Sequence, residues 1–355
     1  MIRAMRNDAT RGANLLTRSA ATARAHLTAM SSLPGVLERL GVPSAPLLQQ
    51  VGLQPEDFSD PERSASFEEL DRLLGACVRR TGCNHFGLLV GQGIGLESLG
   101  IAGRLARNAP NVARALEDLE DFFILQDSGA VPHVDVHDGS ATFMYSIYAT
   151  GVRNADQVHD LALAAMLNVM RQLCGASWRA DAVLLPRGRP DNIRPYREAL
   201  QAPLRFDAMQ AGLLFPSRWL QRPIVGADPL LHRLLKDRAA LDRSQVSPVL
   251  HNDVRRAIRA LLMTGECCRE AVAHRLNMHP RTMVRRLNET GTTYQALLDD
   301  MRAQIAKQLL HDTRSPVSRI AASLGFGDPT VFTRAFRRWT GLSPREFRAA
   351  LPDRW

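Results

Sequence analysis

Toward the C-terminus, apolar positions recur at helical spacing in two segments that share one pattern of residue types. The first reads EAVAHRLNMHPRTMVRRL and the second VSRIAASLGFGDPTVFTRAF. Each opens on a short helix with small residues at close-packing positions, Ala271 and Ala273 in one, Ala321 and Ala322 in the other. A leucine and a break follow, at Leu276-Asn277-Met278-His279 and at Leu324-Gly325-Phe326-Gly327. A second helix then starts at His279-Pro280 and at Asp328-Pro329, because proline tolerates the first helical turn and an aspartate side chain accepts hydrogen bonds from its exposed amides. The pattern predicts a helix-turn-helix written twice.

In such a unit the second helix enters the DNA major groove. Met283 and Leu287, four apart, face inward in the first, and Phe332 and Phe336 do so in the second. That turns Arg281, Thr282, Arg285 and Arg286 outward on one helix, and Thr330, Thr333, Arg334, Arg337 and Arg338 on the other. Arginine suits a bidentate contact with guanine, and threonine bonds a base edge or touches a thymine methyl. On one isolated helix these side chains would merely solvate it; two helices, each after the right turn, point to double-stranded DNA. Between them, residues 293–312 carry Leu297, Met301, Ile305 and Leu309 at four-residue spacing, which predicts one continuous helix. Its length, roughly 30 Å, is close to the roughly 34 Å helical repeat of DNA. One chain is therefore expected to read a bipartite, non-palindromic site in successive major grooves.

Earlier in the chain the periodicity is mixed. Short helices are predicted at LPGVLERLG and SAPLLQQVGL, and a longer one from Ser66 to about Arg80, opened by the capping box SFEE. Two more are expected over 96–107 and 111–126. The period then falls to two: VPHVDVHD and SATFMYSIYAT flank Asp138-Gly139, a hairpin signal, and put Val134 and Val136, then Phe143, Tyr145 and Ile147, on single faces. A long apolar helix over 155–174, strands at AVLLP, LRFD and GLLFP, and a short helix at 196–200 complete an α+β domain whose helices back a small sheet. Residues 228–242 read as a charged helical connector, with a linker between Asp237 and Pro248. The expected domains are a flexible tail over 1–30, a sensing or dimerisation domain over 31–240 and an all-α DNA-binding domain over 247–355. For the tail, an over-long start with translation beginning at Met30 is the other expectation.

Charge sharpens the partition. The chain has 355 residues and a net charge of +9. Residues 251–355 carry +8 and residues 1–30 carry +4, while the stretch between is slightly acidic at −3. Basicity confined to the double helix-turn-helix is an electrostatic footprint for phosphate. Arg255, Arg256 and Arg259, on the helix that opens that domain, are expected to meet phosphates, which position without specifying sequence.

The run 272–347 resembles the DNA-binding domain of the arabinose-regulator (AraC/XylS) family of bacterial transcription factors, most closely in GFGDPTVFTRAFRRWTGLSPREFR and MHPRTMVRRLNETGTTYQALLDDMR. The latter stretch resembles the branch whose ligand domain is of the arabinose-binding type, and residues 36–235 match that domain in arrangement and length. The resemblance implies base contacts from Arg281 and Arg285 in the first recognition helix, and from Pro329, Thr330, Thr333 and Arg334 in the second. Val284 departs from it, standing where many relatives carry a polar reader. The expectation is a nucleoid-associated regulator, cytoplasmic by its reduced cysteines, whose N-terminal domain senses a small-molecule effector or mediates homodimer formation, altering promoter occupancy or RNA polymerase recruitment, with activation expected over repression.

Other chemistries find little support. No Gly-x-Ser-x-Gly elbow, His-Glu-x-x-His helix or paired-carboxylate motif accompanies His133, His137, Tyr145, Tyr148, His159 or Asp160, so no enzyme activity and no cofactor or metal is expected. GQGIG lacks the residues of a phosphate loop. Arg187 and Arg189, in LPRGRP, read as a solvated loop, with capture of a carboxylate ligand as the alternative. The five cysteines fit neither a disulfide framework nor a zinc site, and Cys267-Cys268 is the pair to weigh as a redox sensor. A DNA-repair alkyltransferase fused to the same module would need a Pro-Cys-His context that none of them has. A non-specific architectural DNA-binding protein is the other alternative. No apolar run approaches the roughly eighteen residues that a membrane helix requires.

Overall fold

The computed structural model describes residues 23–149, 152–245 and 250–351. It falls into two compact units, Ala23–Val246 and Ser247–Trp355.

The N-terminal unit is built on a five-stranded sheet whose strands lie in the order 130–137, 140–147, 211–216, 182–184 and 204–205. β3 (Ala130–His137) and β4 (Ser140–Ile147) form the predicted hairpin. Its turn residues Asp138 and Gly139 both have positive φ, 47° and 76°, the geometry of a two-residue turn that follows strand twist. β7 (Ala211–Pro216) runs antiparallel to β4, β5 (Ala182–Leu184) antiparallel to β7, and β6 (Leu204–Arg205) parallel to β5. The register sets Pro132 opposite Tyr145 and Val134 opposite Phe143, so the alternation seen in the sequence becomes one apolar face. Val136, at the open end of β3, is 49% exposed and lies beyond that face's covered part.

Helices cover the sheet. α1 (Leu33–Arg39) and α2 (Ser44–Gln49) match the two short predicted segments. α3 (Phe67–Thr81) starts at the predicted capping box: the Ser66 amide donates to Glu69 Oε2 at 2.7 Å and the Glu69 amide to Ser66 Oγ at 3.2 Å. After α4 (Phe86–Gly91) come α5 (Gly100–Asn108) and α6 (Val112–Phe122), then the long α7 (Ala155–Cys174), which packs on β4 and β7, and α8 (Arg194–Leu200). α4 crosses α7 at two glycines, where a Cβ on Gly87 would lie 2.0 Å from the Gln157 carbonyl oxygen and one on Gly91 2.2 Å from that of Leu161. The Gln157 side chain closes this crossing, accepting from the Gly87 amide and donating to the Asn84 carbonyl, each at 2.9 Å. Asn168 holds GQGIG by donating to the carbonyls of Gln92 and Ile94. The glycines serve helix packing.

Two expectations need correction. The chain is ordered before residue 31: β1 (Arg24–His26) pairs with β2 (Ser64–Ser66), and Ala25, Leu27 and Met30 are core residues. A three-residue strand is stabilised by its partner, so its own composition hides it; residues 1–22 of the expected tail lie outside the described residues. The connector is the predicted helix, α9 (Pro229–Gln245), and the boundary between the units falls inside the predicted linker interval, of which residues 246–248 lie outside the described ones. His232 fastens it, with Nε2 at 2.6 Å from Oδ2 of the fully buried Asp118, whose other oxygen accepts from Arg114 at 2.6 Å. Arg187 is not solvated. It is buried with Asp160, which it meets at 2.5 Å, and donates to the Tyr196 hydroxyl at 2.6 Å, pinning the start of α7 to the segment after β5. Arg189 is exposed as expected.

The C-terminal unit is all helical: α10 (Leu250–Thr264), α11 (Arg269–Arg275), α12 (Pro280–Glu289), α13 (Tyr294–Asp312), α14 (Val317–Ser323), α15 (Pro329–Thr340) and α16 (Pro344–Ala349). α13 is the predicted long helix, and α10, α14, α15 and α16 all pack on it. Among the described residues of the chain, no helix is long and apolar enough to cross a membrane.

Candidate nucleic-acid interface

The two helix-turn-helix units enter their turns with the same hydrogen bonds. Leu276, Asn277 and Met278 amides donate to the carbonyls of Val272, His274 and Ala273, and Leu324, Gly325 and Phe326 amides to those of Ile320, Ala322 and Ala321. Asn277 and Gly325 hold the same left-handed turn position, at φ 52° and 76°. The second turn is one residue longer, by Gly327, after which the recognition helices begin alike. His279 Nδ1 accepts from the Arg281 amide at 3.3 Å, and Asp328 Oδ1 from the Thr330 amide at 2.7 Å. The Thr330 amide holds the Asp328 carboxyl below its ordinary value. Histidine is the looser cap.

Met283 and Leu287 on α12, and Phe332 and Phe336 on α15, are fully buried as predicted. The second unit has the heavier core, in which Phe332 packs at a tilt, 5.4–5.7 Å between ring centres, against Phe326 and Phe336, and Phe336 meets Phe347 edge-on at 5.5 Å. Arg302 of α13 braces its turn, donating to the Leu324 carbonyl at 2.9 Å with its guanidinium 4.7 Å from the centre of the Phe326 ring.

The predicted reader side chains divide by face. Pro280, Arg281, Val284, Arg285 and Asn288 line one groove on α12. Thr282 and Arg286 fall outside it; Thr282 is half-buried and Arg286 exposed. Asn288 was not singled out by the sequence, although its spacing from Arg281 and Arg285, seven and three residues, is the signal that would have found it. Val284 is half-buried between the two arginines. On α15, Thr330 and Thr333 line one groove with Pro329 and Arg345, and Arg334 lines another with Arg338. The Thr333 hydroxyl donates to the Pro329 carbonyl at 2.9 Å. Arg337 and Arg338 are exposed but pair within the unit: Arg337 lies 3.4 Å from Glu346 and Arg338 3.0 Å from Asp299. Arg285 is similarly exposed but meets its own partner, Glu289, only at 3.8 Å.

The supposed phosphate contacts on α10 do not hold. Arg255 and Arg259 are buried, and Arg255 donates to Asp300 of α13 at 2.8 Å, while Arg256 donates to Asp253 on its own helix at 2.9 Å. Arg255 and Arg259 are taken from solvent because the face of α10 that carries them is the face that packs, and Arg255 braces α13. Cys268 caps α11, its Sγ accepting from the Ala271 amide at 3.4 Å. Burial pushes the Cys267 thiol up, away from the thiolate that a redox sensor needs.

Comparison with known proteins fits this geometry. Residues 41–224 match the model of the arabinose-binding domain of AraC transcription regulators, and residues 272–350 match a helix-turn-helix domain model. The chain is 28% identical over 316 residues to the HTH-type transcriptional regulator VirS of Mycobacterium tuberculosis, covering 88% of this chain and 93% of that protein. It is 27% identical over 323 residues to the ornithine utilization regulator of Pseudomonas aeruginosa, covering 90% and 94%. Among solved structures, transcriptional regulator CdpR from Pseudomonas aeruginosa aligns with a TM-score of 0.42 at 22% identity, over 90% of this chain and 96% of that one. With an arabinose-binding-type N-terminal domain and two helix-turn-helix units, the chain belongs to the AraC family of DNA-binding transcription regulators.

Proposed function

We propose that this regulator reads a bipartite site with Arg281, Arg285 and Asn288 in one major-groove segment and Pro329, Thr330, Thr333 and Arg334 in the next. The observation that supports it is one equivalence. Arg285 and Arg334 each stand two residues after a buried anchor, Met283 or Phe332, on helices started by the same turn, and both are exposed. α13, about 28 Å long at 1.5 Å per residue, suits the spacing of successive grooves. Thr282 and Arg286 belong to phosphate positioning on this reading, as do Arg337 and Arg338 once released from their carboxylates. It has no enzyme activity and requires no cofactor.

The N-terminal unit binds a small-molecule effector and biases promoter occupancy, and the active form is a dimer that recruits RNA polymerase and activates from the cytoplasm, at the nucleoid. Leu230, Leu234 and Leu241 on α9, each 59–63% exposed, supply an apolar stripe for that dimer.

Selection of bound sequences from a random duplex pool tests the reading, using the full chain beside Arg285→Ala and Arg334→Ala. Two half-sites about one helical turn apart are expected, each blurred by one substitution. An unenriched pool, or both substitutions weakening all sequences alike, would return the protein to the architectural class.

A further inference from the structure

The N-terminal unit holds a partly open cavity of about 100 Å³ between β1, α3, α6, the β3–β4 hairpin and α7. Its walls are almost wholly apolar, from residues such as Phe67, Leu74, Leu119, Phe143, Leu161 and Ala162. The polar side chains on the wall are His26, Asp71, Gln126, Asp127 and Tyr145, and neither lysine nor arginine is among the lining residues.

Most of these polar groups already have structural work. Asp71 Oδ1 accepts from the amides of Arg153 and Asn154, just before α7. His26 Nδ1 lies 2.8 Å from the Pro61 carbonyl, and Gln126 donates to Thr28 Oγ1 at 3.3 Å. Asp127 differs. It is 6% exposed, and its Oδ1 accepts from the amides of Gly129 and Ala130 at 2.8 and 3.1 Å. Its Oδ2 accepts from the Tyr145 hydroxyl at 3.0 Å. Three donors suit an ionised carboxylate, which has about four acceptor sites and so keeps one to spare. Burial pushes this carboxyl up to about 7, and hydrogen bonds alone, without a cationic side chain, oppose that shift. A buried carboxylate of this kind is completed by a cation.

Two ligand classes are thereby disfavoured. A sugar would bring hydroxyls on every side to walls that cannot pair them. An anion would meet two carboxylates and no positive side chain.

Building on the effector-binding reading, we propose that this cavity is the effector site and takes a compact apolar monoamine, its ammonium donating to Asp127 Oδ2 and its hydrocarbon body on the Phe143 and Leu161 walls. The Tyr145 hydroxyl oxygen is the second acceptor for that ammonium. An apolar cavity of about 150 Å³ admits benzene, so this one, at about two-thirds of that volume, fits a body of about four carbons.

The test uses three probes with the same four-carbon body, butylamine, butanol and butyrate, titrated onto the full chain by calorimetry and thermal shift. Butylamine is expected to bind saturably, about tenfold more tightly than butanol, with no binding of butyrate. Asp127→Asn, nearly isosteric, should bring butylamine down to butanol's level while butanol still binds, which shows the variant folded. Ala162→Leu, which fills the cavity and leaves Asp127 in place, should remove binding of both. Butylamine no tighter than butanol on the wild type, butyrate competing with it, or Ala162→Leu binding as the wild type does, would each overturn the proposal. Failure of the wider reading looks different. Butylamine that binds yet leaves promoter affinity unchanged keeps the site and removes the coupling. An effector that shifts promoter affinity equally in wild type and both variants keeps the coupling and removes this site.

Discussion

Asn277 and Gly325 occupy one and the same turn position in the two helix-turn-helix units, at φ 52° and 76°, each amide donating back to the carbonyl three residues earlier. The left-handed region is nearly free for glycine and tolerable for asparagine. Asn277→Gly should therefore change stability by no more than a few tenths of a kcal/mol. Gly325→Ala should cost about 1 kcal/mol or somewhat more, since its Cβ would also sit 3.3 Å from the Arg302 guanidinium. Urea unfolding followed by helical circular dichroism reads both, and equal losses at the two positions would mean the turns are not equivalent.

The readers and the braces should separate in binding. Arg285→Ala and Arg334→Ala are expected to cost about 1–3 kcal/mol each, on different half-sites of the selected operator. Arg338→Ala, whose side chain is shared with Asp299, should cost less than about 1 kcal/mol and weaken all sequences alike. Titrations of operator and half-site-scrambled duplexes at one fixed salt concentration distinguish the two behaviours.

The α4–α7 crossing has no room for a methyl group. Gly87→Ala places a Cβ 2.0 Å from the Gln157 carbonyl oxygen, so the helices must part, at a cost of about 2–3 kcal/mol. Gly139, left-handed but open to solvent, is the contrast: Gly139→Asn should be nearly silent in the same thermal melt. Similar losses at both sites would show that the crossing yields.

Asp127 links stability to pH. Its carboxyl is raised from 3.8 to about 7 by burial, so the folded state holds a proton that the unfolded chain releases. The stabilisation is complete below the ordinary carboxylate value and is lost as pH rises through about 7. Melting of the N-terminal unit should fall across that window, and Asp127→Asn should flatten the fall in part, burial acting in the same direction on Asp160. An unchanged slope in the variant would show that Asp127 titrates near its ordinary value.

Removal of residues 1–29, leaving Met30 first, deletes β1 and the buried Ala25 and Leu27. The shortened chain should melt lower by several degrees, the burial of one leucine alone being worth about 1.5–3 kcal/mol. Undiminished stability would place β1 outside the cooperative fold.

The sequence by itself determined the C-terminal unit almost completely. Its anchors Met283, Leu287, Phe332 and Phe336, its turn residues and its helix starts are local signals at helical spacing, each readable within a few neighbours. The β3–β4 hairpin and the Ser66–Glu69 capping box were legible for the same reason. Tertiary structure decided what depends on partners distant in the chain. β1 exists only because β2 lies beside it, and Arg187 is buried only because Asp160 and Tyr196 close around it. Arg255 braces α13 instead of meeting phosphate because the packed face of α10 is set by α13, 45 residues away. The cavity was invisible in advance: its walls come from β1 through α7, and Asp127 became its polar corner only when the hairpin brought Tyr145 within 3.0 Å. Periodicity reports which way a side chain points along its own helix or strand; what it meets there is settled by contacts that no local pattern encodes.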